Sequence, residues 1–282
     1  MITRAHARWI LLAIVLATAV LRLAFIEAFL DHVPAKTILK SLTNDTGTYL
    51  EITKSLARGC GFLGAERSHV LNRPPGYPLF AFPFHVAGAL PRGIVLTQML
   101  LSLFGPWFVY RAAREARCGR GAGLAAAAVL AFSPTNISIT AFVIPDSIFA
   151  TIVTLATWLL VRAWRKGTAN AALLAGIALA VGLLVKPALS FWWILAPGLL
   201  VFARLVTRRP VRPVALAALA LPPLLILLGW SARNHVAEDV FVYSTVGMRT
   251  VRFYTGVQIE EWNRLGRFPT LEEERRRRQE LY

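Results

Sequence analysis

Seven stretches of this chain are apolar over close to the length a bilayer demands, and arginines gather at every second junction between them. The runs are roughly 9–30, 93–110, 121–137, 146–164, 170–186, 188–206 and 213–231. A helix needs about 20 apolar residues to cross the hydrocarbon core. Inside that core every backbone N–H and C=O must find a partner within the protein, which leaves helices as the natural solution. The expected fold is all-α and integral to a membrane, with about seven transmembrane helices.

Basic clusters set the orientation. Arg4 and Arg8 precede the first run, and Arg111, Arg114, Arg117 and Arg120 lie between the second and third. Arg162, Arg165 and Lys166 follow the fourth, and Arg204, Arg208, Arg209 and Arg212 follow the sixth. The alternate connections, 138–145 and 187, carry no Lys or Arg. Because cytoplasmic loops hold the positive excess, the N-terminus is expected in the cytoplasm and the region after the seventh run outside, in the cytoplasmic (inner) membrane. A formal net charge of +16 would otherwise suggest nucleic acid, but charges confined to junctions are anchors, so no nucleic-acid partner is expected. The run 9–30 is too long for a signal-peptide core and no small-residue cleavage pattern follows, so it is read as a retained helix. Cys60 and Cys118 fall on opposite faces of this topology and cannot pair with each other.

Two parts lie outside the bilayer in this reading. One is an extracytoplasmic loop over 31–92, far longer than most connections; it belongs to a seven-span module covering 1–231. The other is the extracytoplasmic segment 232–282, with opposite charges at helical spacing in Glu272-Glu273-Glu274-Arg275-Arg276-Arg277-Arg278. It ends without a closing element, and the natural chain is expected to continue.

The loop carries the most informative residues. Asn44 and Asp45 form a helix start, with an oxygen-bearing cap and a negative charge at the positive end of the helix. Tyr49, Ile52 and Leu56 follow at spacings of three and four, and Gly59 closes the segment. That pattern predicts a juxtamembrane amphipathic helix along the membrane surface with a carboxylate at its leading end. Arg73-Pro74-Pro75-Gly76-Tyr77-Pro78 comes later in the same loop, and prolines fix a chain in the way needed to aim an arginine.

The pattern Asp45-x-x-x-Tyr49-x-Glu51-Ile52, followed by Arg73-Pro74-Pro75, resembles the GT-C membrane glycosyltransferases. It is most similar to the bacterial branch with the lipid A aminoarabinose transferases and the relatives of protein O-mannosyltransferases. The resemblance implies transfer of a sugar from a polyprenyl-phosphate donor to an acceptor outside the cytoplasmic membrane. It implies that Asp45 is the catalytic aspartate and that Arg73 faces the lipid-linked phosphate. Asp146 and Lys186 match an acidic position at the start of the fourth span and a basic one at the end of the fifth. Arg233-Asn234 and Ser244-Thr245-Val246-Gly247 match less specific positions. Thr46 stands where relatives often have an acidic residue, Thr48 where the aminoarabinose transferases often have Arg, and Asn72 where they often have Glu. Neither their donor sugar nor a metal site built on that Glu carries over.

The residues support the same chemistry directly. Sugar transfer needs a base to take the acceptor proton, a task for a positioned carboxylate, and positive charge where negative charge grows on the leaving phosphate. Arg73, Lys186 and Arg233 fall at the same face as Asp45 in the topology, and the planar fork of arginine matches phosphate oxygens. Other readings stay open beside these. Asp45 and Asp146 also serve as helix caps, and Lys186 and Arg233 also suit interface anchoring. Tyr49 and Glu51 either orient the acceptor or Asp45, or Tyr49 packs against lipid. Arg22 and Glu27 either pair with each other or reach a neighbouring helix. Tyr77, Trp192 and Trp193 read as interface aromatics. His32, His69 and His85 have spacings that suit no compact metal site, so the sequence supports no divalent metal. The expected function is an inverting glycosyltransferase acting on a lipid, glycan or protein acceptor in the cell envelope. The rivals are a flippase of lipid-linked sugars and a non-catalytic membrane partner module.

Overall fold

A computed structural model describes residues 2–40, 44–62, 73–247 and 257–265, with the single positions 267, 270, 273 and 276. It is helical, with no strand among the described residues. Four helical stretches are long and apolar enough to cross a membrane. They are α1 (Arg4–His32), the near-continuous pair α5 (Arg92–Ser102) and α6 (Phe104–Glu115), α9 (Asp146–Lys166) and α12 (Pro213–Glu238). A fifth candidate is α7 (Arg120–Ala131) followed by α8 (Pro134–Ser138) and a 3-10 turn over Ile139–Ala141, bent by 53° at the break before Pro134. The remaining apolar helices, α10 (Ala169–Val185) and α11 (Trp192–Val206), have 17 and 15 residues and fall short of that length. Each expected apolar run is therefore helical, but four to five reach spanning length rather than seven. Proline accounts for part of the difference: Pro187 follows directly on the cap of α10 and ends it, whereas Pro197 lies inside α11 without breaking it. Large side chains such as Trp9, Val20, Val129 and Phe191 stand at least two-thirds exposed around the bundle, as suits a multi-pass membrane protein whose solvent there is lipid.

Small residues decide how the helices pack. Ala172, Ala175, Gly176, Leu179 and Leu183 on α10 are buried against α9 and α12. A Cβ on Gly176 would lie 2.7 Å from the Leu219 carbonyl oxygen and 2.8 Å from that of Ala218, so only glycine allows the two backbones this close. At the far end of α9, Gly167 adopts φ +64° and the guanidinium of Arg204 lies against it. Arg204 donates from Nη1 to Trp164 O (2.9 Å) and from Nε to Pro210 O (2.6 Å). Its charge thus satisfies the negative end of α9, a buried task rather than surface anchoring.

Polar contacts tie α1 into the bundle. Thr18 donates to Ala131 O at 2.8 Å. Arg22, 2% exposed, donates to Thr18 Oγ1 (3.2 Å), Ser102 Oγ (2.9 Å) and Asn136 O (2.9 Å). Glu27 instead accepts from Arg92 at 2.6 and 2.8 Å. Both residues reach α5, Arg22 at Ser102 and Glu27 at Arg92, so they bind a neighbouring helix and the Arg22–Glu27 pair does not form.

The long loop folds as α2 (Ala35–Lys40), α3 (Asn44–Ala57) and α4 (Gly76–Val86). On α3 the buried positions are Thr46, Tyr49, Leu50, Ile52 and Thr53. Four of these follow the i, i+3, i+4, i+7 spacing of one helix face, and α3 packs on α2 and α4. The predicted helix forms, but its apolar face is covered by protein and Tyr49 does not meet lipid. Gly59, at φ +73°, lets Cys60 N return to Ser55 O at 3.0 Å and close the helix. Tyr77 is fully buried, not an interface aromatic, and its hydroxyl donates to Gln98 Oε1 at 2.7 Å. The last long helix, α12, runs on to Glu238, past the expected boundary at 231. A further helix, α13 (Val257–Leu265), follows. Of the charged stretch 272–278, only Glu273 and Arg276 are among the described residues.

Candidate active site

Asp45 lies in the first turn of α3, where exposed N–H groups favour a carboxylate. Arg73, at the head of the Pro74-Pro75 turn, donates from Nη2 to Asp45 Oδ1. The two side chains are unequally covered: Arg73 is 14% exposed and Asp45 46%. The arginine is held from within, and the carboxylate faces outward. Beneath them lies Tyr49, whose ring centre is 4.8 Å from the Arg73 guanidinium carbon. Tyr49 in turn meets Tyr77 edge to face at 5.1 Å. Stacking on a buried ring desolvates one face of the guanidinium and fixes its plane.

Two buried polar atoms here, Arg73 Nε and Tyr49 Oη, have no hydrogen-bond partner among the described residues. Burial pushes the Tyr49 hydroxyl up to about 12; Arg73 opposes the shift, and the Asp45 and Asp146 charges add to it. Tyr49 therefore keeps its proton through the physiological range and can donate but not act as a base.

A second ion pair lies close by. Lys186 Nζ meets Asp146 Oδ1 at 2.7 Å, with both side chains about one-third exposed. Lys186 caps α10 in an extended conformation and Asp146 opens α9, so two packed helices present the pair at their shared end. Gly76 connects the two pairs. A Cβ there would lie 2.6 Å from Leu184 O, so this glycine lets the turn that carries Arg73 rest on the backbone just before Lys186.

The other expected residues have partners of their own. Arg233 donates to Asn234 Oδ1 (3.1 Å) and Phe62 O (3.4 Å) and stacks on Trp230 at 5.1 Å. Asn234 is fully buried and donates to Val242 O at 2.7 Å, which ties α12 to the segment after it. Glu51 is half-buried two positions beyond Tyr49, and residues so spaced point to different helix faces. Tyr243 was not among the expected residues. It is buried, and its hydroxyl donates to Leu183 O at 2.6 Å. Tyr243 ends the short run Val240-Phe241-Val242, too brief to give a periodic signal, and only its nearness to the Ser244–Gly247 motif pointed to it. Among the described residues no three His, Cys, Asp or Glu side chains gather as a metal site.

Residues 72–230, more than half of the 282, match the family model described as dolichyl-phosphate-mannose-protein mannosyltransferase. The chain belongs to this family. It is a membrane glycosyltransferase of the GT-C superfamily, and membership implies a polyprenyl-phosphate sugar donor and an acceptor in the membrane. No curated protein and no solved structure matches the chain. In this glycosyltransferase Arg73, Gly76, Asp146 and Lys186 fall inside the matched residues; Asp45 precedes them, and Arg233 and Asn234 follow.

Proposed function

We propose that this glycosyltransferase catalyses a single inverting displacement at the extracytoplasmic face of the inner membrane, with Asp45 as the base. The acceptor hydroxyl attacks the anomeric carbon of the lipid-linked sugar and gives its proton to Asp45. The bond to the phosphate oxygen breaks, its electron pair leaves with the polyprenyl phosphate, and the anomeric configuration inverts. Arg73 and Lys186 take up the negative charge that grows on the leaving phosphate, with Arg233 at the margin. Tyr49 holds Arg73 in plane and supplies a neutral hydroxyl. Glu51 and Asn234 support the substrate region without touching the reacting atoms.

The observation that carries this reading is the Asp45–Arg73 pair, half open on the acid side and buried on the arginine side. Arg73 leaves Asp45 Oδ2 without a partner among the described residues, so one contact fixes the carboxylate while its second oxygen remains for a proton. In the same proposal the seven helical runs form a seven-span module over 1–231, the N-terminus is cytoplasmic, and 232–282 lies outside. The sugar is a hexose or pentose, and the acceptor a lipid, glycan or protein. The test is transfer from a panel of radiolabelled polyprenyl-phosphate sugars in proteoliposomes, with the product anomer read by NMR. An inverted product formed only with the lipid-linked donor is expected. Retention of configuration would contradict the single displacement.

A further inference from the structure

At the opposite end of the bundle, the starts of α1 and α7 and the ends of α6 and α9 surround an open basin of about 640 Å³. It is separated from the Asp45 cluster by the length of α9, whose 21 residues span about 30 Å at 1.5 Å each. Its lining includes Arg4, Arg8, Arg111, Arg114, Arg117, Arg120 and Arg165, against one acidic side chain, Glu115. Part of this charge is held in place by the protein. Arg111 lies between Trp107 and Trp158, at 5.6 and 5.0 Å from their rings, and Arg120 donates to Ile2 O at 3.0 Å. Arg4, Arg8 and Arg117 are exposed, and no carboxylate among the described residues pairs with them.

The basin does not stand alone. An apolar groove of about 650 Å³ runs beside it along α1, lined by Leu12, Val15, Leu100, Leu103 and Phe104, and it shares Arg8, Leu11 and Trp107 with the basin. Arg8 and Trp107 thus mark a boundary with cations on one side and hydrocarbon on the other. A free soluble anion would use only the first compartment and a neutral lipid only the second.

The geometry points to a binding site for an anionic glycerophospholipid of the leaflet at this end. Its phosphate headgroup lies among Arg4, Arg8, Arg111 and Arg117, and an acyl chain lies in the groove between α1 and the α5–α6 pair. Several arginines around one basin repel one another, and a phosphate relieves that repulsion while its chain covers exposed apolar surface. This site is separate from the sugar-transfer site and does not depend on the proposed reaction.

The test is binding of dioleoyl-phosphatidylglycerol to the purified full-length protein in a neutral detergent, followed by native mass spectrometry and by the shift in melting temperature. Dioleoyl-phosphatidylcholine and glycerol phosphate are measured in parallel. Phosphatidylglycerol is expected to bind and stabilise, and the other two to do neither. A triple variant, Arg4→Gln with Arg8→Gln and Arg117→Gln, is expected to bind it about a hundredfold more weakly. Lys166→Gln with Arg208→Gln and Arg212→Gln removes the same charge outside the basin and should leave binding unchanged. Val15→Trp fills the groove and keeps the arginines; it should weaken phosphatidylglycerol binding, and it stands in if the arginine variant does not fold. Equal losses in both triple variants would reduce the site to diffuse surface attraction. Equal binding of phosphatidylcholine, or glycerol phosphate binding as tightly as the lipid, would likewise overturn it.

Discussion

Arg73 holds one oxygen of Asp45, 28 positions earlier in the chain, while its guanidinium carbon lies 4.8 Å from the centre of the buried Tyr49 ring. The pair unites a helix start with a proline-fixed turn, so the acid's position depends on two elements that fold independently in sequence. A carboxylate held at one oxygen by a desolvated guanidinium cannot rotate freely, which is the preorganisation a general base requires.

Substituting Arg73 separates phosphate binding from positioning. Arg73→Ala should raise the KM for the donor and lower kcat together, because it removes both the charge at the phosphate and the hold on Asp45. A charge-assisted hydrogen bond is worth about 1.5–3 kcal/mol, so a loss of roughly ten- to a hundredfold in kcat/KM is expected. Arg73→Lys should recover part of the KM effect but little of kcat, since an ammonium keeps the charge and lacks the fork. Steady-state kinetics against donor concentration checks both.

The Lys186–Asp146 pair is partly exposed, and such pairs contribute about 0–1 kcal/mol to stability. Lys186→Ala should therefore leave the melting temperature nearly unchanged while weakening donor use. A large drop in melting temperature with unchanged KM would make the pair a structural tie between α9 and α10 instead.

Gly76 tests how the two pairs are brought together. A Cβ there would meet Leu184 O at 2.6 Å, so Gly76→Ala must push α4 off the end of α10. Overpacking of this kind costs about 1–3 kcal/mol, and activity should fall further than stability because the Arg73 turn moves with α4. Thermal melts and transfer rates on the same preparation give the comparison.

Native cysteines report the orientation. Cys60, just after α3, and Cys118, between α6 and α7, are both free and exposed. A membrane-impermeant maleimide should label Cys60 in intact spheroplasts and Cys118 only after permeabilisation. The reverse pattern would place the Asp45 cluster in the cytoplasm.

Much of this was legible in the sequence. The apolar runs located the bundle helices because a bilayer imposes both composition and length. Asp45, Arg73, Asp146 and Lys186 were all expected at one face, and the structure brings them into two neighbouring ion pairs. The partners within each pair were not legible: Lys186 and Asp146 lie 40 residues apart, and no periodicity encodes a contact between helix ends. Tyr49 read equally well as a lipid-facing ring, because one helix face does not reveal whether α4 or lipid will cover it. The task of Arg204 was hidden in the same way, since a basic residue near a span looks like an anchor until a neighbouring carbonyl is seen to accept from it, whereas the reach of Arg22 to a neighbouring helix was one of its two readings. The helix α10 fell short of spanning length because Pro187 acts locally on a run whose hydropathy continues past it.

The most direct measurement compares single-turnover sugar transfer by the native protein and by Asp45→Asn, in proteoliposomes saturated with the labelled donor. Asparagine keeps the shape and can still meet Arg73 through its carbonyl oxygen, but it cannot take a proton. The expected transfer rate is lower by about 10²–10⁴-fold, with donor affinity changed far less. Transfer at the native rate by Asp45→Asn would show that the proton goes elsewhere and would contradict the role given to this residue.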